Sequence, residues 1–243
     1  MIDLKTYVLE NKKISSIDDY INESFRLGKN KVDTKDDFVD LDLPSKTLWC
    51  KYNVGATCKS NPKSWYGDYF MWGDPESANS KTYDWDNYKY TNGAHDKITK
   101  YCPSNKINNW DATGNPDNKL VLDLEDDIAN DNMGGNWKMP TKGQLQELIN
   151  NTTNEWVKDY NEISGLNGRL FKSKTNDNTL FIPAAGYRAK DLLYYDNSNV
   201  SIWSSTLHAK YPNDAYYLNS STSVMYVSSQ YRCCACPVRA IMN

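Results

Sequence analysis

The chain lacks the features that mark nucleic-acid binding and membrane insertion. Among 243 residues only two are histidine, and acidic residues outnumber basic ones, which leaves a net charge of −3. No dense basic cluster interrupts this balance, so the sequence predicts no binding to nucleic acid. No apolar run is long enough to span a bilayer, so we expect no membrane insertion.

Signals for secretion and for structural metal are missing as well. The first residues, MIDLKTYVLENKK, have no apolar core of the kind found in secretory signal peptides. We therefore expect the protein to be made in a reducing cytoplasm, where structural disulfides are rare. The six cysteines lack the paired C-x-x-C spacing of zinc sites, so no metal site is predicted.

Catalytic motifs are equally scarce. The sequence contains no HExxH, P-loop or GxGxxG motif and no visible Ser-His-Asp set, and His95 and His208 are isolated. Asp and Glu are so plentiful that no pair stands out as a glycosidase dyad. We expect that the protein is not an enzyme.

Aromatic and small polar residues are abundant instead. There are 18 tyrosines and 8 tryptophans, although the mean hydropathy is low at −0.76. Disordered chains are poor in aromatic residues, so we expect a folded protein with many exposed loops. Tyr together with Ser and Asn suits binding loops, because Tyr offers a large contact area at low entropic cost.

Residues 1–37 are predicted to form an N-terminal anchoring helix followed by a linker. In SSIDDYINESFRLGKNK, Ser15 or Ser16 can cap the helix and Gly28 ends it, and the charged KNKVDTKDD that follows is typical of a linker. A single short helix is unstable alone, so its apolar stripe must dock on its own domain or on a partner assembly. The partner-anchoring stripe is Ile17, Tyr20, Ile21 and Phe25.

Residues 38–243 are predicted to form one domain of α+β class. TLWCKYNV alternates as a strand, with Leu48, Cys50, Tyr52 and Val54 on one face, and the Trp- and Tyr-rich stretch after it has the texture of loops with short strands. MPTKGQLQELIN is the clearest helix, with Thr141 and Gln144 as a capping box and Leu145, Leu148 and Ile149 as its apolar stripe.

Hairpin signals follow that helix. Asn167-Gly168 and TNDN are predicted turns, and AYYLN, SVMYV and PVRAI are predicted strand cores. Few helices followed by a run of antiparallel strands indicate an α+β fold.

Several motifs in this domain carry a resemblance to a known family. They are VDLDLPSKTLWCKYNVGAT, YGDYFMWGD, GGNWKMPTKGQLQEL, IPAAGYR, WSST, AYYL and PVRAI. Their order resembles the Fibrobacter succinogenes major paralogous domain over residues 39–243. It also resembles the wider C-type-lectin-like group, which includes formylglycine-generating-enzyme-like domains and the variable proteins of diversity-generating retroelements. LKTYVLE and IDDYINESF resemble leader helices of structural proteins from gut Bacteroidetes phages, including crAss-like phages.

This resemblance implies a C-type-lectin-like domain with mostly antiparallel strands and one or two short helices. TLWCKYNV would pair with PVRAI at one pole, and long loops at the other pole would bind a ligand. The implied function is that of a non-enzymatic phage structural protein, such as a head or tail fibre on the virion surface. It would bind a host-surface glycan or protein, join other virion proteins through its N-terminal helix and form a homo-oligomer. A decoration protein without a ligand and a bacterial cell-surface adhesin remain alternatives.

Residues 194–236 are the expected ligand-binding region. Retroelement-diversified proteins vary codons that yield Asn, Tyr, Ser, His and Cys, and this stretch is crowded with these types. The resemblance leaves two interpretations open, active diversification or ordinary polar loops. The candidate ligand-binding residues are Tyr195, Asn197, Asn199, His208, Lys210, Tyr211, Asn213, Ser221, Ser223, Tyr226, Ser228, Gln230, Tyr231, Cys233 and Cys234.

The cysteine run QYRCCAC has several interpretations. Cys233, Cys234 and Cys236 are either tolerant surface positions of the variable region or small buried residues, and adjacent cysteines on a strand would point to opposite faces. The run also resembles superficially the C-terminal cysteine context of formylglycine-generating enzymes. Because Arg232 could lower a thiol pKa, a cysteine oxidase stays a remote alternative.

Two further expectations concern calcium and the tryptophans. NNWDATGNPDN and LDLEDDIANDN are rich in oxygen ligands, and lectin folds often bind calcium, but the spacing of an EF-hand and the lectin EPN and WND motifs are absent. We expect no cofactor and leave calcium open. Trp49, Trp72, Trp137 and Trp203 lie in the family motifs and are predicted to be core residues.

Overall fold

The computed structural model describes residues 38–78, 80, 82–110 and 116–243. The predicted anchoring segment, with Ile17, Tyr20, Ile21 and Phe25, lies outside the described residues, so its docking stays a prediction. Within the described part of the chain, no helix is both long enough and apolar enough to cross a membrane.

Short β-strands dominate the described residues. The strands are β1 (Phe38–Asp40), β2 (Leu48–Asn53), β3 (Phe70–Met71), β4 (Thr152–Val157), β5 (Gly168–Ser173), β6 (Thr179–Pro183), β7 (Tyr187–Ala189), β8 (Leu192–Tyr194), β9 (Val200–Leu207), β10 (Asp214–Ser220), β11 (Met225–Tyr231), β12 (Ala235–Cys236) and β13 (Arg239–Met242). The α-helices are α1 (Ile128–Met133) and α2 (Lys142–Asn151). Short 3₁₀ helices span Pro62–Trp65, Pro75–Ser77, Ser104–Asn109, Leu124–Asp126 and Tyr160–Glu162.

These strands form small antiparallel sheets with the orders β1–β2–β13, β4–β5–β6, β3–β12–β7–β8 and β9–β10–β11. The expected pairing of TLWCKYNV with PVRAI is confirmed, because Trp49 of β2 lies opposite Ile241 of β13. Mostly antiparallel sheets with few helices confirm the coarse class, α+β or β-rich. The C-type-lectin-like topology stays a prediction.

Strand β2 is covered on both sides, which its predicted alternation did not anticipate. Cys50 is buried as expected, but Trp49 and Asn53 on the opposite face are buried as well, whereas Tyr52 is 37% exposed. The reason is that its two faces pack in different hydrophobic clusters, Cys50 and Val54 in one and Trp49 in the other. Buried Arg239 of β13 donates to Asn53 Oδ1 at 2.9 Å and to the Cys50 carbonyl at 3.0 Å.

The predicted capping box at the start of α2 is confirmed. Thr141 Oγ1 accepts from the Gln144 backbone N–H at 3.2 Å, and Gln144 Oε1 accepts from the Thr141 N–H at 2.9 Å. Leu145 and Leu148 are fully buried and pack in one cluster with residues of β9 and β10, including Leu218. Helix α2 therefore covers one side of the β9–β10–β11 sheet.

One predicted hairpin is confirmed and the other is wrong. TNDN lies in the connection between β5 and β6, which pair antiparallel. Asn167-Gly168 is not a two-residue turn, because residues 158–167 join β4 to β5 and Gly168 is the first residue of β5. A Cβ atom on Gly168 would lie 2.2 Å from the Ile182 carbonyl oxygen, so glycine serves close strand packing there.

The four tryptophans of the family motifs are core residues, as predicted. Trp49, Trp72 and Trp203 are completely buried, and Trp137 is nearly so. Trp72 Nε1 donates to the Ser204 carbonyl at 2.8 Å, and Trp203 Nε1 donates to the Phe70 carbonyl at 2.8 Å. These hydrogen bonds connect β3 and the turn that follows it to β9.

Candidate functional site

The β7–β8 hairpin presents a group of stacked tyrosines. Tyr187 and Tyr194 lie opposite each other in its register, with ring centroids 5.5 Å apart and an interplanar angle of 19°. The Tyr195 ring lies 6.0 Å from Tyr187. A short antiparallel hairpin places directly opposed side chains on the same face, so the stack follows from the strand pairing.

Side chains of β10 and β11 extend this group into a continuous surface. A hydrogen bond from the Gln230 side chain reaches Tyr187 and opposes the rise in the pKa of Tyr187 that burial causes. Asn219 Nδ2 donates to Tyr226 Oη at 3.3 Å, and Asn199 Nδ2 donates to Asn219 Oδ1 at 3.2 Å. We call this surface the tyrosine face and define it as Tyr187, Tyr194, Tyr195, Asn199, Asn219, Tyr226, Ser228 and Gln230.

Strand alternation explains why these side chains share a side of the sheet. Val227 packs with the cluster that includes α2, so the neighbouring Tyr226 and Ser228 point away from the helix. Ser228 lies opposite Tyr217 in the β10–β11 register and hydrogen-bonds its side chain. Six of the eight residues of the face therefore lie on paired strands, and Tyr195 and Asn199 lie in the turn after β8.

The turn after β8 is locked against the β6–β7 connection. Tyr195 and Asn197 both have left-handed backbone conformations, with φ of 57° and 61°. The Asn197 N–H donates to the Ala184 carbonyl at 2.6 Å, and the Gly186 N–H donates to the Asn199 carbonyl at 2.8 Å. A Cβ on Gly186 would lie 2.0 Å from the Tyr194 carbonyl oxygen, so only glycine permits this approach.

The face is exposed and its defining side chains carry no charge. Tyr194, Tyr195 and Tyr226 are 36%, 58% and 48% exposed. No described residue hydrogen-bonds the hydroxyls of Tyr194 or Tyr195. Such rings offer apolar faces for stacking and free hydroxyls for hydrogen bonds, which suits a hydroxyl-rich or amide-rich ligand.

Five of the predicted ligand-binding residues, Tyr195, Asn199, Tyr226, Ser228 and Gln230, come together in the tyrosine face. Asn197 lies in the turn beside it, and Asn167 Nδ2 donates to its carbonyl at 3.3 Å. Ser221 and Ser223 lie at the tip of the β10–β11 hairpin, with their hydroxyls 3.5 Å apart.

His208, Lys210 and Tyr211 form a different group. The rings of His208 and Tyr211 stack 5.0 Å apart, and Lys210 Nζ lies 5.3 Å from the Tyr211 centroid. His208 also contacts Tyr216, over whose ring Lys142 of α2 is placed at 3.9 Å. Since Tyr216 and Tyr217 alternate along β10, this group lies on the α2 side of the sheet, away from the tyrosine face.

Two other predicted residues lie near the end of β11. Asn213 accepts a backbone hydrogen bond from Arg232 at 3.0 Å, and the Tyr231 ring lies 5.9 Å from Trp85. The fifteen predicted residues thus belong to several separate places, although they fall in one stretch of sequence.

The placement of Cys233 and Cys234 on a tolerant surface is wrong. Both are buried, with 5% and 6% exposure, and Cys236 is completely buried. Cys233 and Cys234 follow β11 in a turn, where the Cys234 N–H donates to the Tyr231 carbonyl at 2.9 Å. They therefore neither contact a surface ligand nor alternate across a strand.

Burial also opposes thiolate chemistry at these residues. A hydrogen bond with Cys234 and burial raise the pKa of Cys233 far above its usual value, and burial does the same for Cys236. Arg232 does not serve these thiols, because its guanidinium donates to Tyr88 Oη at 2.9 Å and to the carbonyls of Lys100, Tyr101 and Pro212. A reactive cysteine needs the opposite arrangement.

In LDLEDDIANDN, one of the two stretches considered for calcium, four acidic side chains contact other groups of the protein. Asp123, Glu125 and Asp126 place their oxygens within 4.8 Å of one another, but Lys100 Nζ contacts them at 3.1, 3.0 and 2.5 Å. Asp127 caps α1 by accepting from the backbone N–H groups of Ala129, Asn130 and Met139. The cation among these acids is a lysine ammonium.

Three members of the tyrosine face, Tyr187, Tyr194 and Asn219, were missed at the level of sequence. Tyr187 lies in the motif IPAAGYR, outside the expected region 194–236, whereas Tyr194 and Asn219 lie inside that region but were not among the candidates. The available signal was the hairpin itself, because two strands joined by Lys190 and Asp191 place Tyr187 opposite Tyr194.

No protein-family model, curated protein or solved structure matches this chain. The family resemblance therefore stays a prediction, and the tyrosine face is interpreted from its own geometry.

Proposed function

We propose that this protein is a non-enzymatic binding protein of a phage particle that recognises a glycan or protein on a Bacteroidetes host through the tyrosine face. The observation that carries this proposal is the contiguous set of exposed tyrosines and side-chain amides on paired strands. Rings held in place before binding lose little conformational freedom when a ligand stacks on them.

The composition of the face favours a neutral, hydroxyl-rich or amide-rich ligand. Tyr194, Tyr195 and Tyr226 supply ring faces, and Asn199 and Gln230 supply amide donors and acceptors. Single sites of this kind bind weakly, so many copies on one virion would provide strength through avidity. A homo-oligomer on the virion surface is part of the proposal.

The N-terminal segment would join the protein to other virion proteins. Its stripe of Ile17, Tyr20, Ile21 and Phe25 has the spacing of an amphipathic helix that docks into a groove. The described chain begins in β1, in a different sheet from those that carry the tyrosine face. Attachment and recognition would therefore use separate parts of the chain.

Cell binding tests the recognition half of the proposal. Fluorescently labelled full-length protein is incubated with a panel of cultured Bacteroidetes strains and measured by flow cytometry. We expect binding to some strains and its loss when Tyr187→Ala and Tyr226→Ala are combined. Tyr211→Ala is the matched control, since Tyr211 is 50% exposed but lies on the other side of the sheet. Equal loss in the control, or no loss in the double variant, would refute this role of the face.

Incorporation into particles tests the attachment half. Ile21→Asp combined with Phe25→Asp in the full chain should abolish copurification with virions while cell binding by the free protein persists. If virions still incorporate this variant, the stripe is not the anchor. If cell binding never occurs but incorporation does, a decoration protein without a ligand becomes the better account.

Diversification makes a separate prediction about natural variation. Deep sequencing of the 3′ end of the gene across a population should show adenine-derived substitutions at exposed positions such as Tyr195 and Tyr226. Buried Cys233, Cys234 and Cys236 should stay unchanged. A uniform sequence at the exposed positions would leave a fixed binding surface.

A further inference from the structure

The β7–β8 hairpin has a second side that the tyrosine face does not use. Arg188 lies opposite Leu193 in its register, one residue along from the Tyr187–Tyr194 pair. Because strand side chains alternate, Arg188 and Leu193 point to the other side of the hairpin. There they line a cavity of about 350 Å³ together with Lys63, Tyr66, Tyr69 and Tyr83.

Arg188 differs from the other described arginines in having no hydrogen-bond acceptor among the described residues. Arg232 and Arg239 each donate four hydrogen bonds, and Arg169 donates to the Ser220 hydroxyl and the Ser221 carbonyl. The Arg188 guanidinium lies over the Tyr69 ring, 5.1 Å from its centroid, and no described residue accepts a hydrogen bond from it. Its planar array of donors is left for a ligand.

The tyrosines form a fixed wall around this guanidinium. Tyr69 Oη donates to the Ala185 carbonyl at 2.6 Å, and Tyr83 Oη donates to the Tyr69 carbonyl at 3.4 Å. Both rings are buried and stay neutral at physiological pH, since burial raises the pKa of each hydroxyl. The wall thus combines apolar ring faces with one unpaired cation.

The charges that the described residues bring to the cavity lining are all positive. Lys63 supplies a second cation at the rim. Two acids lie nearby, Asp68 and Asp196, and each raises the pKa of an adjacent tyrosine, but neither lines the cavity. The Asp68 carboxylate is turned toward Gly55, where a Cβ would lie 2.2 Å from Asp68 Oδ2. Among the described lining residues, a small anion in the cavity would therefore meet only cations, Lys63 and Arg188.

We propose that this cavity binds an acidic monosaccharide, a sugar ring that carries a carboxylate. The guanidinium of Arg188 can pair with a carboxylate through two parallel hydrogen bonds. The faces of Tyr66 and Tyr83 can pack against the ring, and the hydroxyl of Ser80 and the ammonium of Lys63 can contact its hydroxyls. The volume lies at the small end of the range for ligand pockets, which suits one sugar ring.

The test is a titration of the full chain with free monosaccharides, followed by two-dimensional NMR of the backbone amides. Glucuronate and N-acetylneuraminate are the probes, glucose controls for the ring without the charge, and acetate controls for the charge without the ring. We expect saturable shifts at Arg188, Leu193 and Tyr69 with one or both acidic sugars. Which of the two binds distinguishes a uronic acid from a sialic acid as the natural source.

Two variants sharpen the assignment. Arg188→Gln should weaken binding at least about tenfold, the loss typical of a removed bidentate ion pair. Lys190→Gln is the matched control, since Lys190 is an exposed cation of the same hairpin outside the cavity. Binding by Lys190→Gln should equal that of the wild type, and the spectra themselves report whether each variant is folded.

The proposal is overturned if the acidic sugars give no saturable shifts, or if glucose binds as tightly as glucuronate. It is also overturned if Arg188→Gln binds like the wild type, or if the shifts lie outside the cavity. Free monosaccharides are measured here, so the result is independent of cell binding through the tyrosine face.

Discussion

Two groups of tyrosines in this protein serve opposite purposes. In the first, Tyr88, Tyr90 and Tyr101 are buried beside Trp72 and Arg232, and we call them the buried tyrosine cluster. In the second, the tyrosine face, the rings are exposed and two hydroxyls lack a described partner. The residue type is the same, but in the buried tyrosine cluster each hydroxyl donates a hydrogen bond to another group of the protein.

Hydrogen-bond acceptors account for the difference. Tyr88 Oη donates to the Trp72 carbonyl at 2.7 Å, and the hydroxyls of Tyr90 and Tyr101 both donate to the Asp126 carboxylate. A buried hydroxyl without such an acceptor would be costly, so Asp126 makes the burial of two rings possible. No equivalent carboxylate lies among the residues of the tyrosine face, and its rings remain at the surface.

The largest effect should come from removing the cation at the centre of the buried cluster. Arg232→Leu would leave four acceptors without this donor, three of them on buried residues, and should lower the free energy of unfolding by about 3–5 kcal/mol. The acceptors are Tyr88 Oη and the carbonyls of Lys100, Tyr101 and Pro212. Chemical denaturation measures this loss.

Arg188→Leu is the matched control for that experiment. Arg188 is half-buried and donates to no described residue, so the change should cost less than about 1 kcal/mol. Equal losses at the two positions would show that the hydrogen bonds of Arg232 do not stabilise the cluster.

A smaller effect, with a defined pH dependence, is expected at Asp126. Burial alone would raise the pKa of this carboxyl, but hydrogen bonds from Lys100, Tyr101 and Tyr90 outweigh it and hold the pKa below its usual value of 3.8. Asp126→Asn should cost about 2 kcal/mol near neutral pH, less than a deep ion pair because Lys100 is partly exposed.

The sign of the pH effect follows from the lowered pKa. The folded state favours the charged carboxylate, so its contribution is complete above pH 3.8 and is lost as the pH falls through the folded pKa. The difference in unfolding free energy between wild type and Asp126→Asn should therefore shrink under acid conditions. A difference that stays constant down to about pH 2 would contradict the role given to the ionised carboxylate.

Substitutions in the tyrosine face should weaken ligand binding and leave the stability of the fold nearly unchanged. Tyr226→Ala should weaken cell binding about tenfold while changing unfolding free energy by less than about 0.5 kcal/mol. Tyr90→Ala should do the opposite, destabilising the fold by about 3 kcal/mol or more because it empties a buried ring site. Flow cytometry and chemical denaturation of both variants test this reversal, and a large stability loss in Tyr226→Ala would remove the distinction between the two groups.

The smallest expected effect concerns a single hydroxyl of the face. Tyr194→Phe keeps the ring and its stack on Tyr187 but removes one donor, so binding should weaken only about threefold. If binding is unchanged, Tyr194 contributes ring area alone. A loss as large as that of Tyr226→Ala would instead make this hydroxyl a principal contact.

Short sequence patterns correctly predicted the elements that are stabilised by contacts between residues close in sequence. The capping box of Thr141 and Gln144 and the stripe of Leu145 and Leu148 fix α2 within one turn of sequence, so its start and its buried side were predictable. The β5–β6 hairpin was predicted from the turn residues TNDN between FKSK and TLFIP, which are a local signal as well. The pairing of β2 with β13 was predicted only from the family resemblance. Neither strand carries a sequence signal that indicates a partner more than 180 residues away along the chain.

Burial of individual side chains depended on distant partners and was harder to predict. Tyr90 is buried because Asp126 accepts its hydroxyl, 36 residues later in the chain. Cys233 and Cys234 are buried because the turn after β11 is held by the Arg232 bonds to residues 100–101. The polar sequence around these cysteines does not indicate those contacts, so the sequence left both interpretations open; burial is confirmed, and the surface positions assumed for Cys233 and Cys234 as ligand-binding residues are wrong.

Hydrogen exchange on the bound protein shows whether the ligand contacts the tyrosine face. Polysaccharide extracted from a strain that binds the protein is added to the full chain, and protection is measured by mass spectrometry. We predict new protection in residues 187–199 and 217–230, with residues 84–110 around the buried tyrosine cluster unchanged. Protection confined to residues 84–110, or to the α2 side around His208 and Tyr211, would contradict recognition through the tyrosine face.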